Sequence, residues 1–362
     1  MSKKGKNKRK MSKISVILIS FIWISALIVA FMLLLNSIKN TRKFKRINSD
    51  IKIPEGFYYV GGDIDTGVVI SDNKDDEFKG TEFEKVSKLK GNQFVWVPVE
   101  KAIAEDFNDA KKLINEEKNP IAIRDGNNYK AINYVFDLST KSKNIIEETK
   151  YTKQYEPSII NAYIYGDSEE YIEGSTKELY QDSFNKMIES VEKNKGFYVS
   201  RYEVGNLKNA VNNNEKIVSK AGEEDITYMD WIHLYKVSKN MYDRDDINVE
   251  MIWGCQWYAM LSWIDQNQDV KNNIYDAKNI GNYYGSLKKS GSQEENVMNN
   301  IYDLAGNAFE WSQKSNENGG RAAFGGSYLY DNNYSYSLGF EKGYPITYLW
   351  NEVGTRVTMY LN

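Results

Sequence analysis

The stretch Tyr302–Ser312, YDLAGNAFEWS, sets two carboxylates, Asp303 and Glu310, at the ends of a loop of small residues that closes on Trp311. Acids so spaced suit proton transfer, cation binding, or nothing more than a solvated turn. Spacing alone does not choose among the three, but the rest of the chain narrows the chemistry. Its 362 residues include one cysteine, Cys255, and one histidine, His233. A single thiol allows no intrachain disulfide, CxxC zinc site or paired-thiol chemistry, and a single imidazole allows no two-histidine iron or zinc centre. Both residues read as structural. Lys and Arg (47) nearly balance Asp and Glu (50), a formal net charge of -3, so nothing resembles the basic field that nucleic acid requires.

Several elements must position these residues. Strand-like runs open at GFYYVGG, TGVVIS and NQFVWVPV (Asn92–Val99). The stretch from Glu100 to Pro157 is polar and reads as surface insertions with one or two short strands, such as YKAINYVFDL. Phe184, Met187, Ile188 and Val191 then fall at i, i+3, i+4 and i+7, one apolar helix face. A second helix is expected from Tyr228 to Met241, capped by Thr227 and striped by Trp231, Leu234, Tyr235, Ser238 and Met241. A third carries Trp253, Trp257, Met260, Leu261 and Ile264. All three stripes read as core. Past Asp265 the chain turns rich in Gly, Asn and Tyr, with short strands and loops expected to its end.

The N-terminal residues have a different texture. Ile14–Leu35 is an uncharged apolar run of 22 residues between basic clusters. At about 1.5 Å per residue it is long enough for a hydrocarbon core of roughly 30 Å. No small-residue cleavage site follows it, which favours an uncleaved anchor over a signal peptide. The expected organisation is a basic cytoplasmic tail (1–13), a single transmembrane helix (14–36), a juxtamembrane stalk (37–50) and an extracytoplasmic domain (51–362). The denser basic cluster at the N-terminus sets the orientation, and the location is the cell surface.

IPEGFYYVGG, NQFVWVPV, GFYVSRYEV, MIWGCQWYAMLSWI, YDLAGNAFEWS, FGGSY and VGTRV occur in one order along the chain. Together they resemble the formylglycine-generating enzyme family, also called the sulfatase-modifying factor family, in a bacterial branch. The resemblance implies an α+β, C-type-lectin-like domain of short strands, about three helices and much irregular structure. Family enzymes oxidise a sulfatase cysteine with a copper-holding cysteine pair, and related sulfoxide synthases use iron-binding histidines. This chain lacks both sets, so no copper or iron and no catalytic residue is expected, and fold similarity does not carry activity. The resemblance further implies structural calcium at Asp303 and Glu310 through side chains and at Gly306 and Ala308 through carbonyls. Calcium's preference for hard oxygen ligands is compatible with that set. Asn307 and Trp311 then turn and pack the loop.

With catalysis set aside, the tyrosine-rich tail becomes the working surface: Tyr328, Tyr330, Asn332, Asn333, Tyr334, Tyr336, Tyr344, Tyr348 and Trp350. Rigid amphipathic rings beside adaptable polar groups suit recognition. The expected protein is a membrane-anchored, non-catalytic binding domain for a protein or glycan ligand. A divergent oxidoreductase of the family acting on a secreted protein, or a structural module of a surface assembly, remain as alternatives.

Overall fold

A computed structural model describes residues 22, 24–25, 27–29, 31–32, 51–78, 89–137, 139–145, 177–205, 216–267, 274–315, 320–329 and 336–362. Residues 1–50 with 79–82 form one compact unit, and residues 51–78 with 83–362 form a second, which holds everything described below.

In chain order, the second unit begins with strands β1 (Tyr58–Gly61), β2 (Val69–Ser71), β3 (Gln93–Pro98) and β4 (Ile103–Ala104). Helix α1 (Phe107–Asn115) follows, then β5 (Ala122–Asp125), β6 (Asn128–Ala131), β7 (Tyr134–Asp137) and β8 (Ser142–Ile145). Next come α2 (Lys177–Asn194), β9 (Gly196–Ser200), α3 (Trp231–Lys239), β10 (Ile247–Met251) and α4 (Gly254–Gln266). The chain continues through β11 (Val297–Met298), β12 (Ile301–Tyr302), β13 (Phe309–Ser315) and β14 (Arg321–Phe324). It closes with β15 (Lys342–Tyr344), β16 (Val353–Thr355) and β17 (Val357–Leu361).

The main sheet has six strands in the order β1-β2-β3-β9-β17-β10, and a second sheet has the order β15-β14-β13-β16. All pairings in the main sheet are antiparallel, whereas β13 and β16 run parallel, with Glu310 opposite Gly354. Strands β3, β9 and β17 are buried on both faces, which explains their continuous apolar sequence where a half-exposed strand would alternate. Helix α2 lies against β9 and β17, and α4 lies against β3 and β13. The expected stripe of α2 is fully buried, and Phe184 meets Trp253 edge to face at 4.9 Å. The stripes expected on the other two helices are buried as well.

The expected architecture needs correction. The second unit holds four α-helices and a 3-10 turn among its described residues, and described residues between 22 and 32 of the first unit are helical too, not about three helices in all; the strands form five separate sheets. No helix among the described residues is long and apolar enough to cross a membrane, so the transmembrane element is not supported. Most of the 14–36 span, all of the 1–13 tail and all of the 37–50 stalk lie outside the described residues. The 100–157 stretch, expected to hold one or two strands, carries five strands and a helix in its described part. Helix α1 starts at an Asp106 cap that accepts from Asp109 N and buries Ala110, Leu113 and Ile114, a short stripe hidden among charged neighbours. Helix α3 begins three residues later than expected: Tyr228 has a left-handed φ of 60°, and Asp230 rather than Thr227 caps by accepting from His233 N at 2.8 Å.

Because Phe184 is sealed between α2 and Trp253, Phe184→Ala is expected to cost about 3–5 kcal/mol. Urea denaturation of the purified chain measures it, and a loss under about 1 kcal/mol would mean that α2 is not a core element.

Candidate functional site

The loop between β12 and β13 closes over a buried acid cluster. Asp303, Gly306 and Asn307 all take positive φ (59°, 71° and 62°), which turns the chain three times within five residues. Gly306 must be glycine, because a Cβ there would lie 2.4 Å from the Asn282 carbonyl oxygen. Four carboxylates, Glu203, Asp225, Asp303 and Glu310, are buried here with the fully buried guanidinium of Arg356. Arg356 donates from Nε to Glu310 Oε2 at 2.8 Å and from Nη2 to Glu310 Oε1 at 2.7 Å, the two-pronged geometry that arginine alone supplies. The same guanidinium donates to the carbonyls of Ser200 (2.7 Å) and Tyr302 (2.8 Å). One side chain therefore ties β9, β12 and β13 to the junction of β16 and β17.

Asn307 is the second hub. Its Nδ2 donates to Glu203 Oε2 at 2.6 Å and to Asp225 Oδ2, while its Oδ1 accepts from Asn282 Nδ2 (2.8 Å) and Lys288 N (2.9 Å). Glu203 Oε1 accepts from Ala308 N at 3.1 Å, and Asp225 Oδ1 accepts from Ser290 Oγ. Burial, and after it the neighbouring Asp225, push Glu203 well above the usual carboxylate range. Burial also raises Asp225, although the bonds from Glu203, Ser290 and Asn307 and the charge of Arg356 oppose the rise. The hydrogen bond between the two acids is best met by a proton on Glu203 and a charge on Asp225. Asp303, raised to about 7 mainly by burial, accepts from Gly291 N at 2.6 Å.

The residues of the expected calcium set are engaged as follows. Both oxygens of Glu310 accept from the Arg356 guanidinium, and Asp303 Oδ2 accepts from the Gly291 amide. Among the described residues no group of three or more His, Cys, Asp or Glu side chains is placed to hold a metal ion. The loop is a charge-paired structural clasp. Sequence reading found its two ends and missed Glu203 and Arg356, which lay in the quoted GFYVSRYEV and VGTRV motifs without an assigned role, and Asp225, which lay outside every quoted motif.

The residues set aside as structural behave differently from each other. Cys255 is buried in α4, and burial raises its thiol to about 12, far from a reactive thiolate at neutral pH. His233 is exposed on α3, with Nδ1 at 2.7 Å from Asp230 Oδ1.

Of the expected tail surface, Tyr330, Asn332, Asn333 and Tyr334 lie outside the described residues. Tyr344 is buried and meets Trp311 edge to face at 5.6 Å. Tyr344, Tyr348 and Trp350 form a staircase of stacked rings, 4.5 Å and then 5.5 Å between centroids, from the core to an exposed indole. The N–H of Tyr228 donates to the Trp350 carbonyl at 2.9 Å, and the Tyr328 hydroxyl reaches the Asn351 carbonyl at 3.5 Å. These bonds bring Tyr228 and Tyr328 beside the 348–351 segment. A neighbouring group joins Tyr336 to Tyr283, edge to face at 4.9 Å, and to the Tyr284 hydroxyl. Tyr228, Tyr283 and Tyr284 were missed because no periodicity marks them. They come from loops remote from the tail.

Arg356→Met, which leaves Glu310 buried without its counter-charge, is expected to cost about 3–5 kcal/mol, and pairing it with Glu310→Gln should recover part of that. Equal stability of Arg356→Met and the parent in urea would remove the clasp from the account. The pH dependence follows from Asp303: its folded value of about 7 lies above the ordinary 3.8, so the folded state holds a proton that the unfolded chain releases. The stabilisation is complete below the unfolded value and is lost as pH rises through about 7. The melting midpoint should therefore fall from pH 5 to pH 8, and Asp303→Asn should flatten the fall; an unaltered slope counts against the assignment. Calcium at about 5 mM should leave the midpoint unchanged, since a ligand bound only by the native state would raise it.

No family model matches the chain, and no curated protein matches it. Among solved structures it is similar to Treponema denticola variable protein 1, with 13% identity and a TM-score of 0.32 over 45% of this chain and 84% of that one. It is similar to the same degree to CarF, with 13% identity and a TM-score of 0.32 over 46% of this chain and 87% of that one.

Proposed function

We propose that the chain is a non-catalytic binding module whose recognition surface is the aromatic face around Tyr228, Tyr348 and Trp350, directed at a protein or glycan ligand. The observation that carries this reading is the staircase Tyr344–Tyr348–Trp350. Its inner ring is fixed in the core, which holds the outer two in place before any ligand arrives, so little side-chain entropy remains to be lost on binding. Trp350 is 46% exposed and Leu349 48%, in a segment where burial was available to their neighbour Tyr344.

Backbone strain supports the same face. Tyr228 is 67% exposed and sits at φ 60°, and exposed Tyr284 sits at φ 56°. A bulky side chain at positive φ costs on the order of 1–3 kcal/mol and recurs where a structure holds a group out for a partner. Tyrosine and tryptophan are also the side chains that dominate recognition hot spots.

The test is binding of the purified chain to a glycan array and to a displayed peptide library, followed by affinities for the best hit. Trp350→Ala and Tyr228→Ala should each weaken that hit by at least about tenfold. Their melting midpoints should stay close to the parent's. Undiminished affinity in both variants overturns the reading.

A further inference from the structure

Lys314 is the only buried lysine among the described residues, and its ammonium is in contact with Glu341 Oε2. The two lie 27 residues apart, Lys314 on β13 and Glu341 one residue before β15, and β14 runs between those strands. A lysine that only balanced a surface acid would keep its charged head in water, as long amphipathic side chains do. Here the lysine side chain is 5% exposed and that of Glu341 24%.

Both partners are held in place. The Lys314 stem passes the start of α4 so closely that a Cβ at Gly254 would lie 2.6 Å from its Cδ. The Tyr258 hydroxyl donates to Glu341 Oε2 at 2.9 Å, so the ammonium and the phenol converge on one carboxylate oxygen. The Tyr258 ring meets Phe324 edge to face at 5.5 Å and Phe136 at 6.2 Å, which fixes where its hydroxyl points. The Lys314 ammonium stands 5.7 Å from the centre of the same ring. A cavity of about 330 Å³ adjoins the pair, with Lys314, Glu341 and Tyr258 in its lining.

An amine and a carboxyl group fixed in contact are the reactants of an amide. Burial lowers the Lys314 amine from its ordinary value, against the opposing pull of Glu341, and so favours the neutral nucleophile. Holding two reactants at contact replaces a dilute encounter with an effective concentration of about 10⁵–10⁸ M. A neutral amide in place of a buried ion pair also removes the desolvation that offsets most of the pair's attraction.

We propose that Lys314 and Glu341 form an intramolecular isopeptide bond that closes residues 314–341 into a covalent ring. The ammonium passes one proton to Glu341, and the neutral Nζ attacks Cδ. The Nζ–Cδ bond forms, the Cδ–Oε2 bond breaks, and Oε2 leaves as water into the adjoining cavity. Of the three ammonium protons one stays on Nζ and two are lost, one directly and one by way of Tyr258, whose hydroxyl donates to Oε2 and is recharged from the nitrogen. Both charges cancel, and no oxidant or cofactor is consumed. The bond does not depend on the aromatic face, and the two can fail separately.

Mass spectrometry of the purified full chain tests the bond. The parent should be lighter by one water than its sequence requires. Its tryptic digest should contain a branched peptide that joins the segment holding Lys314 to the one holding Glu341. Lys314→Met should keep its full sequence mass, and because the branched peptide is read from the parent, the test stands even if that variant does not fold. Followed by mass during cell-free synthesis, Tyr258→Phe should close the bond at least about a hundredfold more slowly. Unbranched peptides spanning Lys314 and Glu341 throughout the parent digest overturn the proposal. A missing water that persists in Lys314→Met overturns it as well, since that marks an imide elsewhere in the chain. Equal closing rates in Tyr258→Phe and the parent overturn the proton route.

Discussion

The guanidinium of Arg356 is the constraint on which the rest of this structure depends. Four carboxylates are buried within one cluster, and the interior would not tolerate four charges with a single balancing cation. The arrangement answers this in two ways. Glu310 is paired through both oxygens with Arg356, which opposes the rise that burial imposes on it, while burial drives Glu203 toward the neutral form. Arg356 also spans backbone carbonyls of two other segments, so the electrostatic balance and the alignment of strands are one device. Asn307 does for hydrogen bonds what Arg356 does for charge, donating to both Glu203 and Asp225.

Residue types show why part of this was legible in the sequence. The α2 stripe and the strand NQFVWVPV are core because apolar residues recur at helical spacing in one and without interruption in the other, and burial needs no partner beyond other apolar groups. The acid clasp was legible only at its ends. Asp303 and Glu310 stand out in a loop of small residues, but their partners come from residues 201 to 225 and 356, and no local spacing encodes a contact between segments so far apart. A loop with two acids is equally compatible with a metal and with an arginine, and only the placement of Arg356 separates the two. The 100–157 stretch misled for another reason: its strands are two to four residues long. Charged side chains on their exposed positions mask the alternation that would mark them.

The aromatic face and the surroundings of Lys314 use the same residue types to different ends. On the face, Tyr348 and Trp350 are held by a stack that starts in the core, so rigidity is inherited from packing. Around Lys314 the rings hold a lysine and a glutamate in contact. A buried ion pair is weak support for stability, because desolvation offsets most of its attraction. Its presence in this setting is more readily understood as the two reactants of an amide.

The position of β17 has a consequence for how the protein is made. Residues 357–361 pair with β10 on one side and β9 on the other, strands more than a hundred residues earlier. During synthesis β9 and β10 therefore emerge with a gap between them that no earlier segment fills, each presenting unpaired backbone groups to solvent. The main sheet closes, and Arg356 reaches its acids, only after translation has passed residue 361. Until then the nascent chain must be kept from pairing with its own copies, a burden that falls on the cell's chaperones more than on the finished fold.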